Sequence, residues 1–100
     1  MPLSVDALTD GPETRLTVLG EIDLASRPDL IKAIDAALAG DVSRIVVDIA
    51  GVTFMDCYGM SALIYGREQA DARSRGFWVI GATGIPLLVL RITGVLDQIA

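Results

Sequence analysis

The chain predicts an α/β fold, with helices packed on a mixed sheet of four or five strands. Three observations lead there. Apolar residues alternate near the N-terminus and then recur at helical spacing, so the hydrophobic period changes from two to about 3.6 along the chain. Two short apolar runs, 45–49 and 77–80, read as buried strands. Helical segments separate them, and strands separated by helices imply parallel pairing through right-handed crossovers.

Taken in order, residues 3–8 alternate weakly and predict a first strand, and Thr9-Asp10-Gly11-Pro12 is a turn cluster. Residues 14–20 alternate again, with Leu16, Val18 and Gly20 on one face and Arg15 and Thr17 on the other, while Leu19 interrupts the pattern. Together these two segments predict a hairpin. Ser26-Arg27-Pro28-Asp29 has the form of a capping box with proline in the first turn. Leu30, Ile31, Ile34, Ala37 and Leu38 then form one apolar stripe, and Gly40 ends the helix. The β-branched run at 45–49 predicts a strand buried on both faces, followed by a short turn. A second helix is expected over 58–74, with Met60, Leu63, Ile64 and Arg67 on one face and Gly76 closing it. Residues 77–80 predict the next strand, with Trp78 in the core. Thr83 caps a short third helix with Pro86 in its first turn and Leu87 and Leu90 as inward anchors. A last short strand is expected at 95–99.

Composition narrows the function. The 100 residues are 52% hydrophobic, enough for a core without disulfide or metal staples. A single cysteine excludes an intrachain disulfide and fits a reduced, cytoplasmic setting. The net charge of −5, with scattered basic residues, argues against nucleic acid or an anionic membrane as partner. No signal-peptide pattern is present, and the longest uncharged stretch, 76–90, is too short and broken to span a membrane. The absence of histidine removes the usual general base, the usual nucleophile partner and the commonest zinc ligand. No phosphate-cradling glycine motif occurs. No catalytic residues, metal site or cofactor are therefore expected.

The segment Asp56-Cys57-Tyr58-Gly59 stands where a strand gives way to a helix. A helix's first turn presents free N–H groups and a positive dipole end. A cysteine there also occurs in phosphatase-type enzymes, which need an arginine six residues on; that place is Leu63. A redox CxxC would need a cysteine at Met60. What remains for Cys57 is a thiol favoured by the helix end and opposed by Asp56, or a small residue without reactivity. Asp56 is a candidate N-cap. Phe54 and Met60 read as core. Met55 and Tyr58 read either as core or as an exposed contact patch. Asp23, after the end of a predicted strand, is a turn residue or part of a binding rim.

The ordered set Gly20-Glu21-Ile22-Asp23-Leu24-Ala25, Ile45-Val46-Val47-Asp48-Ile49, Gly51-Val52-Thr53-Phe54-Met55-Asp56, Gly59-Met60-Ser61-Ala62-Leu63 and Thr93-Gly94-Val95 resembles the anti-sigma factor antagonists of the STAS domain family. The resemblance covers nearly the whole chain. It implies one STAS-like domain over residues 1–100, with a four- to five-stranded mixed sheet and helices mainly on one face. It further implies a protein-binding module that docks an anti-sigma factor of the histidine-kinase-like ATPase type. The partner-binding residues would be Asp23, Met55, Asp56, Cys57, Tyr58, Gly59 and Ser61. In that family a serine or threonine after the motif aspartate is phosphorylated by the partner, which blocks docking. Here that position is Cys57, so a phospho-switch is not expected there. The alternatives are a redox-responsive regulator using Cys57 and a scaffold or ligand-binding component of a larger signalling assembly. Relatives commonly carry a further C-terminal helix; its lack would leave apolar surface uncovered, so a homodimer is a further expectation.

Overall fold

A computed structural model of the chain describes residues 2–94, apart from the side chain of Ile92. Its elements are β1 (Ser4–Asp10), β2 (Glu13–Ile22), α1 (Arg27–Leu38), β3 (Arg44–Met55), α2 (Cys57–Ala72), β4 (Gly76–Ile80) and α3 (Gly84–Thr93). The strands lie in the order β1-β2-β3-β4. β1 and β2 are antiparallel, whereas β2–β3 and β3–β4 are parallel. This is the predicted mixed sheet, with four strands among the described residues. The strand expected at 95–99 lies outside them.

The hairpin turns on Gly11 and Pro12 alone, with Gly11 at φ +58°. Only a residue without a Cβ takes that conformation cheaply. Thr9 and Asp10 therefore belong to the strand rather than to the turn. In β2 the alternation is regular: Thr14, Leu16, Val18, Gly20 and Ile22 are buried. Leu19 does not interrupt it, because it sits on the outer face, in register with Ser4.

Leu16, Val18, Ile45, Val47, Ile49, Phe77 and Val79 form the inner face of the sheet and are all buried. Leu30, Ile34 and Leu38 of α1 and Leu63 and Ala70 of α2 join them in one core. Each of the Val, Leu, Ile and Phe side chains among them contributes about 1.5–3 kcal/mol by leaving water. Gly66 lets α2 approach closely, since a Cβ there would lie 2.6 Å from the Phe77 ring. α3 packs against β3 and contributes Leu90, which is fully buried. Leu87 is only half-buried.

Several expectations are corrected. β3 does not end in a turn after Ile49. It continues to Met55 through two bulges, where three residues of β3 span two of β2 (Asp48–Gly51 against Thr17–Leu19) and two span one (Val52–Phe54 against Gly20–Glu21). Ser26 does not cap α1 with its side chain, which bonds back into the preceding turn. Gly76 starts β4; the left-handed position after α2 is taken by Ser74, at φ +56°. Trp78 is not core: it is 44% exposed on the outer face, beside Val46 in register. Phe54 is likewise exposed. Val46 is nevertheless buried, flanked in register by the long side chains of Arg15 and Trp78.

Candidate functional site

The predicted site residues gather at the carboxyl ends of β2 and β3. The second bulge of β3 resets the alternation, so Met55 points inward beside Ile22 and Asp56 emerges at the sheet end. Asp56 is the N-cap of α2: its extended backbone and its Oδ1, which accepts from the Gly59 N–H at 2.8 Å, satisfy one orphan donor of the first turn. The Asp56 N–H in turn donates to the Ile22 carbonyl at 3.2 Å. That bond ties the start of α2 to the end of β2 and brings Asp23 to the same end of the molecule.

Gly59 fixes how close the two can come. A Cβ at this position would collide with the carbonyl group and side chain of Ile22. Gly59 is buried, so the close approach it permits is by the chain's own β2. Cys57 and Tyr58 project outward instead: the thiol is free and exposed and Tyr58 is 56% exposed.

Ser61, one turn on, is half-buried and fully engaged. Its hydroxyl donates to the Tyr58 carbonyl at 2.6 Å and accepts from Arg27 Nε at 2.7 Å. Asp23 is held by a reciprocal pair with Ser26: its N–H donates to Ser26 Oγ at 2.9 Å, and its Oδ1 accepts from the Ser26 N–H at 3.0 Å. Ser26 Oγ also donates to the Glu21 carbonyl at 2.8 Å. The turn between β2 and α1 is thus internally braced.

The structure brings Asp23, Asp56, Cys57, Tyr58, Gly59 and Ser61 together at one end. It removes Met55 from the surface: the side chain is 1% exposed and packs in the core, so it cannot be a contact residue as expected. Two exposed apolar residues at this end were not foreseen as surface, Leu24 after Asp23 and Phe54 before Met55. Arg27, whose role was also unforeseen, joins the first turn of α1 to Ser61. A cation at the positive end of a helix is disfavoured, and that placement was the available signal. Among the described residues no cluster of acids, cysteines or histidines is arranged to hold a metal. No helix among them is long and apolar enough to cross a membrane.

A mixed four-stranded sheet with a helix starting at an exposed turn beyond its third strand defines a STAS-type architecture. The family described as "Mlab, STAS domain" matches residues 6–99, and the chain belongs to the STAS domain family. Among solved structures, an anti-sigma factor antagonist from Mycobacterium paratuberculosis superposes with a TM-score of 0.88 at 24% identity, over 97% of this chain and 82% of that one. The anti-sigma factor antagonist SpoIIAA in its unphosphorylated form gives 0.82 at 15% identity, over 97% and 86%. A sulfate transporter family protein from Wolinella succinogenes gives 0.77 at 15% identity, over 93% and 75%. These likenesses establish the fold. No curated protein matches the sequence significantly.

Proposed function

We propose that this chain is an anti-sigma factor antagonist-like binding module, not an enzyme, acting in the cytoplasm. It docks a kinase-type anti-sigma factor through the end of the molecule built from Asp23, Leu24, Phe54, Asp56, Cys57, Tyr58 and the first turn of α2. The observation that carries the reading is the exposed Cys57-Tyr58 pair, held out by the Asp56 cap and by Gly59 seated on Ile22. Apolar Leu24, Phe54 and Tyr58 beside two carboxylates form the mixed apolar and charged surface that protein interfaces use.

The family's switch does not carry over in this reading, because Cys57 stands at its position. A phosphate on the residue after Asp56 would add about −1.5 to −2 charge beside two carboxylates, which explains why such a modification opposes docking. A thiol is not the substrate of a serine/threonine kinase, so docking here is constitutive with respect to that kinase. The test is titration of the purified kinase-type anti-sigma factor from the source cell with the wild-type chain, Tyr58→Ala and Asp56→Lys, each with ADP or ATP. The expected result is tight binding by wild type that ATP does not abolish, and at least about tenfold weaker binding by both variants, as for truncated central contacts. No binding by wild type would overturn the reading.

A second reading is a STAS component of a larger assembly. The likeness to a sulfate transporter family protein supports it. It predicts co-purification in a stoichiometric complex and indifference to any anti-sigma factor.

A further inference from the structure

We infer that the free edge of β1 is a self-association surface, on which a second copy of this chain adds its own β1 to make one continuous sheet. This does not rest on the docking reading above, because the surface lies at the side of the sheet rather than at its carboxyl end. Among the described residues β1 has one neighbour, β2, so its other edge is open. It is seven residues long, mostly exposed, and carries no proline and no bulge; its two charged residues, Asp6 and Asp10, lie on the outer face, away from the side that meets α1. The two-residue turn makes Asp10 and Glu13 a hydrogen-bonded pair. Alternation then aims the backbone N–H and C=O groups of Val5, Ala7 and Thr9 outward.

Under this edge runs an apolar groove between β1 and α1. Its two lobes, about 350 and 280 Å³, share Val5, Ala33 and Ala36. Asp29 and Lys32 stand at one end, and Asp41 at the other. This distribution selects the occupant. α1 crosses over from β2 to the parallel β3, so it runs in the same direction as β1. A two-fold axis through Ala7 pairs β1 with its copy in antiparallel register, Ala7 opposite Ala7 and Val5 opposite Thr9. The same operation brings Lys32 of each copy to the partner's Asp41, beside the negative carboxyl end of the partner's α1. Lys32 and Asp41 are both exposed, and neither has an ion-pair partner among the described residues. Strands spaced about 4.8 Å apart, with α1 packed over both β1 and β2, put the two α1 helices roughly 10 Å apart across the axis. That is a normal helix-packing distance, so alanines from both copies close the groove. On the outer face the register sets Asp6 opposite Leu8 and Asp10 opposite Ser4, avoiding direct like-charge pairs.

Sedimentation velocity at rising concentration tests this. The expected result is a reversible species of twice the 10.6 kDa chain mass. Lys32→Asp should weaken association about tenfold or more, and Asp41→Lys on the same chain should restore it, as reciprocal charge reversal predicts. Ala7→Pro, which removes an outward N–H at the axis, should abolish the dimer. Circular dichroism checks that each variant is folded, and the exposed charge pair keeps the test valid if the proline variant is not. A single 10.6 kDa species at every concentration overturns the inference and leaves the edge to an extended segment of another protein. A dimer indifferent to the charge exchange also overturns it.

Discussion

At the scale of single residues the site is defined by what holds Cys57 outward. Gly59 is the least replaceable of these residues, because a methyl group there meets the backbone of Ile22 rather than a movable side-chain tip. Gly59→Ala should destabilise the protein by about 1–3 kcal/mol, the usual cost of overpacking, measured as a lower urea midpoint with unchanged slope. Asp56→Ala should cost about 1 kcal/mol through the lost cap, and Asp56→Asn much less, since an amide oxygen still accepts the Gly59 N–H. If both lose partner binding equally, the carboxylate charge is what the partner reads. Away from the site, Tyr65 donates to Asp35 at 2.7 Å, and this hydrogen bond, aided by the carboxylate's charge, raises the Tyr65 pKa above its ordinary value. The folded value lies above the unfolded one, so the stabilisation is present below about pH 10 and disappears as pH rises through the folded value. In Tyr58→Phe, tyrosinate absorbance should report Tyr65 ionising above free tyrosine, and Asp35→Asn should bring it back down. Ionisation at the ordinary value with Asp35 intact would contradict the contact.

At the scale of elements, the periodicity in the sequence located β2, α1 and α2, because each has one inner face and keeps its own alternation or helical period throughout. It failed where the register changes or where one face carries none of the described helices. Two added residues in β3 are invisible to an alternation count, so the strand looked finished at Ile49 although it runs on to Met55. Phe77 and Trp78 are adjacent and apolar, and a strand covered on both sides would bury both. Only Phe77 faces the helices; Trp78 lies on the outer face, with its ring reaching over Gly76, where none of the described helices packs. The protein has one tryptophan, which makes the difference easy to read. Its emission should be that of a water-exposed indole, quenched by iodide in the folded state and little shifted on unfolding. A blue-shifted, unquenched band would mean that something covers the outer face.

At the scale of the whole molecule, function follows from where the architecture leaves surface unpaired. The helices bury one face of the sheet, and the carboxyl ends of β2 and β3 carry the acidic and aromatic end at α2. The location of that end was legible in Asp56-Cys57-Tyr58-Gly59, since a strand-to-helix junction shows in the change of period. The division of labour within it was not: the inward turn of Met55 and the pairing of Arg27 with Ser61 depend on contacts between elements distant in sequence. The central claim is that this end binds a kinase-type partner while lacking the residue through which such a partner would release it. Intact-mass spectrometry after incubation with that kinase and ATP, for wild type and Cys57→Ser side by side, addresses it most directly. The account predicts an unmodified wild type and a singly phosphorylated Cys57→Ser, the phosphate mapping to the new serine. Phosphate on the wild-type chain within 53–61, or none on the serine variant despite tight binding, would contradict it.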